Sequence, residues 1–268
     1  MPNVVYSLIA IFWICSLQKE ISDKYIRYCL QAGGILLVLL FVLRYLRWDL
    51  VPEGTVGYRM IWYAYYISFI GLPGLSLAVS VFIGSKKKNR AFMHFIATSC
   101  ILLILLVLTN DLHRAVMMVE ERNGTEYCIY RPLYYFIIAW YSVMLITSLV
   151  LVLYKCRLHV ERKLWWVPPV FGIPGFIMWG VYFALGGTSP SIAGINLYNI
   201  QEVYLLVFIG MWESCIMVGL VPSRSLSRER EWIREGILDS IKNEFAEMKK
   251  IHAGFKPEAK TEFTEELK

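Results

Sequence analysis

Long apolar runs separated by short charged stretches form the dominant pattern of hydrophobic and polar positions in this chain. No Lys, Arg, Asp or Glu occurs in residues 1–18, 28–43, 60–85, 91–110, 132–154 and 164–201. These runs are continuously apolar, whereas a membrane β-barrel strand alternates apolar and polar residues over about 10 positions. The pattern excludes a soluble enzyme and a β-barrel, and it indicates membrane-spanning helices.

A helix that crosses a bilayer needs about 20 mostly apolar residues, because the hydrocarbon core is about 30 Å thick and offers no partners for backbone polar groups. Seven spans are predicted: Val4 to Leu17, Arg27 to Leu46, Tyr58 to Gly84, Ala91 to Asn110, Pro132 to Tyr154, Leu164 to Leu185 and Ile200 to Val221. The first is the shortest, and it lacks the basic start and small-residue cleavage site of a signal peptide. The predicted fold class is all-α, a polytopic membrane protein with a seven-transmembrane-helix bundle and a cytoplasmic C-terminal helix.

Composition agrees with this prediction, since 57% of the 268 residues are hydrophobic and only 18% are charged. Lys and Arg are concentrated in the first, third and fifth loops and after the last span. Cytoplasmic loops carry such an excess, so we predict a multi-pass protein of the cell (inner or plasma) membrane with its N-terminus outside and its C-terminus in the cytoplasm. The net charge of +6 follows from this asymmetry and predicts contact with anionic lipid, not with nucleic acid.

Sequence motifs of catalytic, metal and cofactor sites are missing from the chain. There is no H-E-x-x-H pair and no G-x-S-x-G elbow, and no span contains a Lys for a retinal Schiff base. The four histidines lack metal-ligand spacing, and the six cysteines include no C-x-x-C pair. Asn123-Gly124-Thr125 matches a glycosylation acceptor, a short pattern that we treat as a chance match. We predict no catalytic residues, no metal and no cofactor.

Polar residues at the outer ends of several spans occur among many aromatic residues. Apolar walls with a few convergent polar groups are typical of small-molecule pockets. The candidate ligand-binding residues are Arg59, Trp62, Asn110, Asp111, His113, Tyr135 and Glu202. The alternative is an interfacial aromatic belt in which helix-end charges meet water.

Irregular positions occur inside three spans. Glu213 lies about two thirds of the way through the last one, where an ionised side chain costs roughly 2.5 to 3.5 kcal/mol, so it is expected to face the bundle interior. It is a candidate intramembrane switch, a ligand contact or a structural hydrogen-bonding group, with Gln31, Ser142, Thr147 or Ser148 as partners. Proline and glycine near Pro73 and Pro174 predict a hinge or cavity, or a kink packed against its neighbours.

After Ser225 the chain becomes charged and helix-forming. Leu238, Ile241, Phe245, Met248 and His252 are spaced 3, 4, 3 and 4 residues apart, as in a coiled-coil seam of two heptads. A helix on the inner leaflet has the same stripe, and we favour helix pairing. The predicted domains are a bundle over residues 1–222, a cytoplasmic signalling helix over 223–253 and a disordered tail over 254–268.

Three groups of residues resemble one family. They are Leu108 to His113, then Tyr154 to Arg157 with Arg162 to Trp165 and Pro168, and finally Trp212 to Cys215 with Gly219 to Ser223. In order and at matching helices, they are similar to the seven-helix N-terminal sensor region of bacterial, especially clostridial, histidine kinases. The resemblance covers roughly residues 1 to 250.

The resemblance implies that the bundle detects an extracellular or membrane-borne signal and relays it through the helix after the last span. Too few residues follow Val221 for a phosphoacceptor and an ATPase domain, and no Gly-rich nucleotide box is present, so we expect no kinase activity. The predicted partners are the lipid bilayer, a separate cytoplasmic histidine kinase or other signalling protein, a small-molecule ligand and a second copy of the chain. The relay residues are Leu238, Ile241, Phe245 and Met248. The alternative is a small-solute transporter or channel-like protein, although no inverted repeat or ladder of carboxylates supports it.

Overall fold

Six helices of the computed structural model are long and apolar enough to cross a membrane. The model describes residues 2–85, 90–122, 125–160, 164–185, 189–192, 195–224, 235–242, 244–245 and 248. Within them, the candidate spans are Lys24–Leu50, Val56–Phe82, Ala91–Leu108, Pro132–Leu158, Val167–Ala184 and Ile200–Met217. The chain is therefore an all-α multi-pass membrane protein, which confirms the predicted class. Its first helix is not one of the six, so the count of seven spans stays a prediction.

Helices form most of the described chain, and two short hairpins lie between them. In order, the elements are α1 (Pro2–Glu20), α2 (Lys24–Tyr45), α3 (Val56–Phe82), α4 (Arg90–Leu108), α5 (Asn110–His113), β1 (Met117–Arg122), β2 (Thr125–Tyr130), α6 (Pro132–His159), α7 (Val167–Ala184), β3 (Ser191–Ile192), β4 (Ile195–Asn196), α8 (Ile200–Tyr204) and α9 (Met211–Met217). A π-helical segment over Leu46–Leu50 extends α2, and another over Leu205–Gly210 joins α8 to α9. The strands pair antiparallel as β1 with β2 and β3 with β4.

Several helix ends are fixed by local side chains. The Asp23 carboxylate accepts hydrogen bonds from the backbone N–H groups of Tyr25 and Ile26, and it caps the start of α2. At the C-terminal end of α3, Lys155 donates to the carbonyl oxygens of Ser80 and Ile83, each at 2.6 Å. A cation suits this position because the last carbonyls of a helix lack partners within the helix and carry partial negative charge.

The α3 helix lies at the centre of the bundle. Its most apolar window is 78% buried, against 22% for α4, and it packs against α2, α4 and α6. Ser76 and Ser80 of α3 hydrogen-bond to Ser148 of α6 at 2.9 and 2.7 Å, and all three are buried. Hydroxyl pairs of this kind join membrane helices where water is absent. α1 packs against α2, and α7 packs against α9 and the π-helical segment before it.

The proline and glycine positions of α3 and α7 are points of close packing. Both helices continue through Pro73 and Pro174. A Cβ atom added at Gly74 would lie 2.7 Å from Cys100 Sγ, and one at Gly172 would lie 2.7 Å from Leu149 Cδ1. Neighbouring side chains therefore occupy the space that a larger residue would need, which agrees with the kink packed against its neighbours.

The chain divides into two compact units, Met1–Ser223 and Arg224–Lys268. In the second, residues 235–242, 244–245 and 248 are helical. The predicted relay residues Leu238, Ile241, Phe245 and Met248 are exposed. His252 and the predicted disordered segment 254–268 lie outside the described residues.

Candidate functional site

An open cavity of about 630 Å³ lies at the end of the bundle that holds the predicted outer loops. Ligand sites are usually concave and have volumes of about 300 to 1,000 Å³. The lining residues come from five helices, both hairpins and the segments beside them. They are Arg44, Arg47, Trp48, Trp62, Tyr65, Tyr66, Phe69, Tyr130, Tyr134, Ile138, Tyr182, Phe183, Ser189, Asn196, Asn199, Ile200 and Tyr204.

Aromatic rings form most of the cavity wall: ten of the seventeen lining residues are Trp, Tyr or Phe. A second layer of rings lies behind them. Phe69 stacks on Tyr141 with a centroid distance of 4.3 Å, Tyr141 stacks on Trp179 at 4.8 Å, and Trp179 contacts Phe183 at 4.7 Å. Because packed rings have few rotamers open to them, this layer fixes the shape of the wall before any ligand arrives.

Two arginines contribute the positive charge of the cavity. The Arg47 guanidinium lies 4.5 Å from the ring centroid of Tyr58 and 4.6 Å from that of Trp62. Both distances fall within the range of cation–π contacts. Arg44, one helical turn earlier, lies beside the Tyr65 hydroxyl. The π-helical segment Leu46–Leu50 contains Arg47, and such segments are often found at functional sites.

None of the described residues that line the cavity carries a carboxylate. Within the part of the chain that the structure describes, neither Arg44 nor Arg47 forms a salt bridge, and the Arg47 Nε atom is buried without a hydrogen-bond partner. The cavity is therefore aromatic and cationic.

Asn110 and Asp111 belong to a separate hydrogen-bond network. The buried Asn110 side chain accepts from the backbone N–H groups of Val116 and Met117 at 3.1 and 3.2 Å, and it donates to the Met117 carbonyl at 2.8 Å. The Tyr63 hydroxyl donates to Asp111 Oδ1 at 2.7 Å, and Arg59 Nε lies 3.4 Å from Asp111 Oδ2. The network joins α3 to α5 and to the segment that leads into β1. Three predicted ligand-binding residues are thus brought together, but they do not line the cavity.

His113 and Tyr135 also lie outside the cavity lining. The backbone N–H of Ala115 donates to His113 Nδ1 at 3.0 Å, so the ring proton is on Nε2, which is 3.0 Å from the Leu106 carbonyl oxygen. His113 therefore closes the turn after α5. Tyr135 is 62% exposed, and its ring packs edge-on against Tyr134.

Glu202 lies beside the cavity and joins α1 to the start of α8. Its Oε1 accepts from the Tyr6 hydroxyl at 2.8 Å, and its Oε2 accepts from the backbone N–H of Asn199 at 3.1 Å, in a capping box. Gln201, the preceding residue, donates to Asn3 Oδ1 at 3.1 Å. These contacts hold the first helix against the last span.

Glu213 forms a second link between α1 and the last span. Its Oε2 accepts from the Trp13 indole Nε1 at 2.8 Å, so its partner is none of the four residues that the sequence suggested. The side chain does face the bundle interior, as expected. Glu20, at the end of α1, lies near Glu213, and burial raises the pKa of the Glu20 carboxyl, with repulsion from Glu213 adding to the effect.

Of the residues predicted for the pocket, Trp62 lines the cavity. Sequence reasoning missed Arg44, Arg47, Trp48, Tyr130, Tyr182 and Phe183. The sequence does contain a signal for the two arginines, since they lie three residues apart at the end of a span that is predicted to face outward, where an excess of positive charge is not expected.

No family model matches the chain, and no curated protein matches it. Among the described residues, no group of three or more His, Cys, Asp and Glu side chains is arranged to hold a metal ion. Function therefore has to be inferred from the cavity, the networks beside it and the tail.

Proposed function

We propose that this chain is the membrane sensor of a two-component-type signalling system. The bundle binds an extracellular small molecule in the aromatic cavity and relays its presence through the C-terminal helix to a separate cytoplasmic histidine kinase. The main support is the cavity itself, whose volume, fixed aromatic wall and two arginines match the composition of a ligand site. The order of motifs that resembles histidine-kinase sensor regions gives the second support.

The orientation proposed for the bundle places the cavity outside the cell. The basic loops and the tail face the cytoplasm, and the cavity opens among the second, fourth and sixth loops. We include α1 as the seventh span, with the N-terminus outside. Its exposed side chains are largely apolar, including Val5, Leu8 and Phe12, as suits a helix that faces lipid.

Relay from the cavity to the tail follows from which helices form the wall. Arg47 and Trp62 lie on or beside α2 and α3, whereas Asn199 and Tyr204 belong to the start of the last span. A ligand that contacts both sides favours one arrangement of the last span over another, and only such differential binding can signal. The π-helical segment Leu205–Gly210 lies directly below the cavity residues of α8, where a change of helical register would pass along the span.

The tail offers the surface for output. The four relay residues are exposed and spaced 3, 4 and 3 apart. This apolar stripe suits pairing with a helix of the kinase or with a second copy of the chain.

The test is affinity capture from native membranes after chemical cross-linking, with mass spectrometry as the readout. The wild-type chain is expected to capture a histidine kinase, and Ile241→Asn is expected to lose it, because a polar group would enter the apolar stripe. Lys242→Asn is the matched control, since its side chain is off the stripe and exposed. Equal capture by all three chains would contradict the relay, and absence of any signalling protein together with solute flux in liposomes would support the transporter alternative.

A further inference from the structure

We propose that the ligand of the aromatic cavity is an amphiphilic anion, with a flat aromatic or apolar body and one carboxylate-like group. This inference rests on the proposed function, because it names the chemical class that the same cavity accepts. Its basis is a partly buried cation that has no salt-bridge partner in the described part of the chain and that lies in a wall of aromatic rings.

Arg47 is the residue that requires an anion. Its guanidinium is enclosed by the rings of Trp48, Tyr58 and Trp62, at centroid distances of 4.5 to 5.3 Å. Its Nε atom is buried without a hydrogen-bond partner. A desolvated polar group without a partner costs free energy, and guanidinium groups bind carboxylates with paired, charge-assisted hydrogen bonds. A ligand carboxylate therefore supplies the negatively charged hydrogen-bond acceptor that the described residues do not give to Arg47.

Asp111 and Glu202, the two acidic residues predicted for the pocket, are already engaged in other contacts. Asp111 accepts from Tyr63 and pairs with Arg59, and Glu202 accepts from Tyr6 and the Asn199 backbone. Rotation of either carboxylate towards Arg47 would break these contacts. Among the described residues no carboxylate forms a salt bridge with Arg44 or Arg47, so their positive charge is left for the ligand to balance.

The rings of the cavity select the body of the ligand and disfavour a cation. Aromatic cages often bind cationic ligands, but here the three rings already surround the protein's own guanidinium. A second cation would be repelled by Arg47 and Arg44. The remaining rings present flat apolar faces, and Asn196 and Asn199 add neutral polar groups to the lining.

Three probes with the same naphthalene body test the charge preference: 2-naphthoate, 2-naphthamide and 2-naphthylmethylammonium. Binding is measured by calorimetry on the full-length chain in phosphatidylcholine nanodiscs. We expect the carboxylate to bind at least about tenfold more tightly than the amide, as one charge-assisted hydrogen bond implies, and its affinity to fall with added salt. In Arg47→Gln the preference for the carboxylate over the amide should disappear.

Arg27→Gln is the control for loss of one positive charge. Arg27 also lies over a ring, that of Tyr28 at 5.6 Å, but it is at the other end of α2. The preference for the carboxylate should persist in this variant. Unfolding temperatures of all chains in detergent show whether a variant is still folded.

The anion could come from a free solute or from an acidic lipid headgroup, and one further arm separates these sources. Binding of 2-naphthoate is compared at high salt between nanodiscs with and without added phosphatidylglycerol. The added lipid should weaken binding if a headgroup occupies the cavity, and it should leave the affinity unchanged if a free solute does. Equal affinity for carboxylate and amide, preference for the ammonium probe, binding of no probe, or unchanged preference in Arg47→Gln would each overturn the anion inference. The sensor function is tested separately, by the kinase-capture experiment, so failure of one proposal can be distinguished from failure of the other.

Discussion

The indole of Trp13 donates a hydrogen bond to the carboxylate of Glu213 at 2.8 Å and so joins α1 to the last span. Trp13 is 5% exposed, so the bond lies away from bulk water. Together with the Tyr6–Glu202 and Gln201–Asn3 hydrogen bonds, it is one of three side-chain hydrogen bonds that the described residues form between α1 and the last span. The Glu213 carboxylate, which lies in an apolar span, therefore has a hydrogen-bond donor from another helix.

The Trp13 contact should contribute measurably to stability. Trp13→Phe removes the donor and leaves a partly buried carboxylate without it, and we expect the free energy of unfolding to fall by about 1 to 3 kcal/mol. In a Glu213→Leu background, the same change should cost less, because no carboxylate remains to be satisfied. Unfolding in mixed detergent micelles measures both differences, and equal costs in the two backgrounds would show that the hydrogen bond contributes nothing.

Glu20 should make stability depend on pH. Its pKa is raised in the folded protein by burial and by Glu213, so the folded state holds the proton more tightly than the unfolded state. As pH rises through the interval between the ordinary and the raised pKa, wild-type stability should fall. Glu20→Gln removes this effect, so the variant should be more stable than wild type at neutral pH, and the difference should vanish in acid. A difference that grows as pH falls would contradict this account, and Glu53→Gln, at an exposed carboxylate, is the control.

Asn110 should act mainly as a structural residue. Asn110→Ala removes the acceptor for two backbone N–H groups and a donor to one carbonyl, all buried, so we expect a loss of at least about 2 kcal/mol in unfolding free energy. Thr109→Ala, at an exposed neighbouring position, should cost much less. Binding of 2-naphthoate to the folded fraction should remain, since Asn110 does not line the cavity. If Asn110→Ala kept full stability but lost 2-naphthoate binding, Asn110 would belong to the ligand site and this prediction would be contradicted.

Cys156 and Cys215 test the packing of α6 against α9. Their thiols are close enough to interact, and both side chains are buried. Oxidation by copper phenanthroline should join them in a disulfide, which mass spectrometry of the digested protein detects as a linked pair of peptides. Cys156→Ser should abolish that pair, and a dominant link to Cys100 would show that the two helices pack differently.

The spans were predictable because apolar runs of this length have few structural alternatives. The predicted Tyr58 to Gly84 compares with a helix at Val56–Phe82, and the predicted start of the fifth span at Pro132 is the start of α6. The β1–β2 hairpin was missed, although the sequence between Arg122 and Thr125, which pair across it, is Asn123-Gly124. That dipeptide favours a two-residue hairpin turn, in addition to matching the start of a glycosylation pattern.

The cavity was less predictable, because it depends on tertiary contacts. Aromatic content near Trp62 indicated a pocket, but the polar residues at helix ends were expected to face it. Instead Asn110 and Asp111 satisfy backbone and side-chain groups of the neighbouring chain. Arg47 is brought to the cavity by a π-helical extension of α2, a feature that periodicity in the sequence does not reveal.

The most direct test of the sensor account is the phosphorylation of the captured kinase in native membranes, compared between wild type, Arg47→Gln and Arg27→Gln. The account predicts that Arg47→Gln changes the signal-dependent phosphorylation several-fold while the amount of captured kinase stays constant, and that Arg27→Gln behaves like wild type. Identical phosphorylation in all three, with equal capture, would contradict the claim that this cavity is where the signal is read.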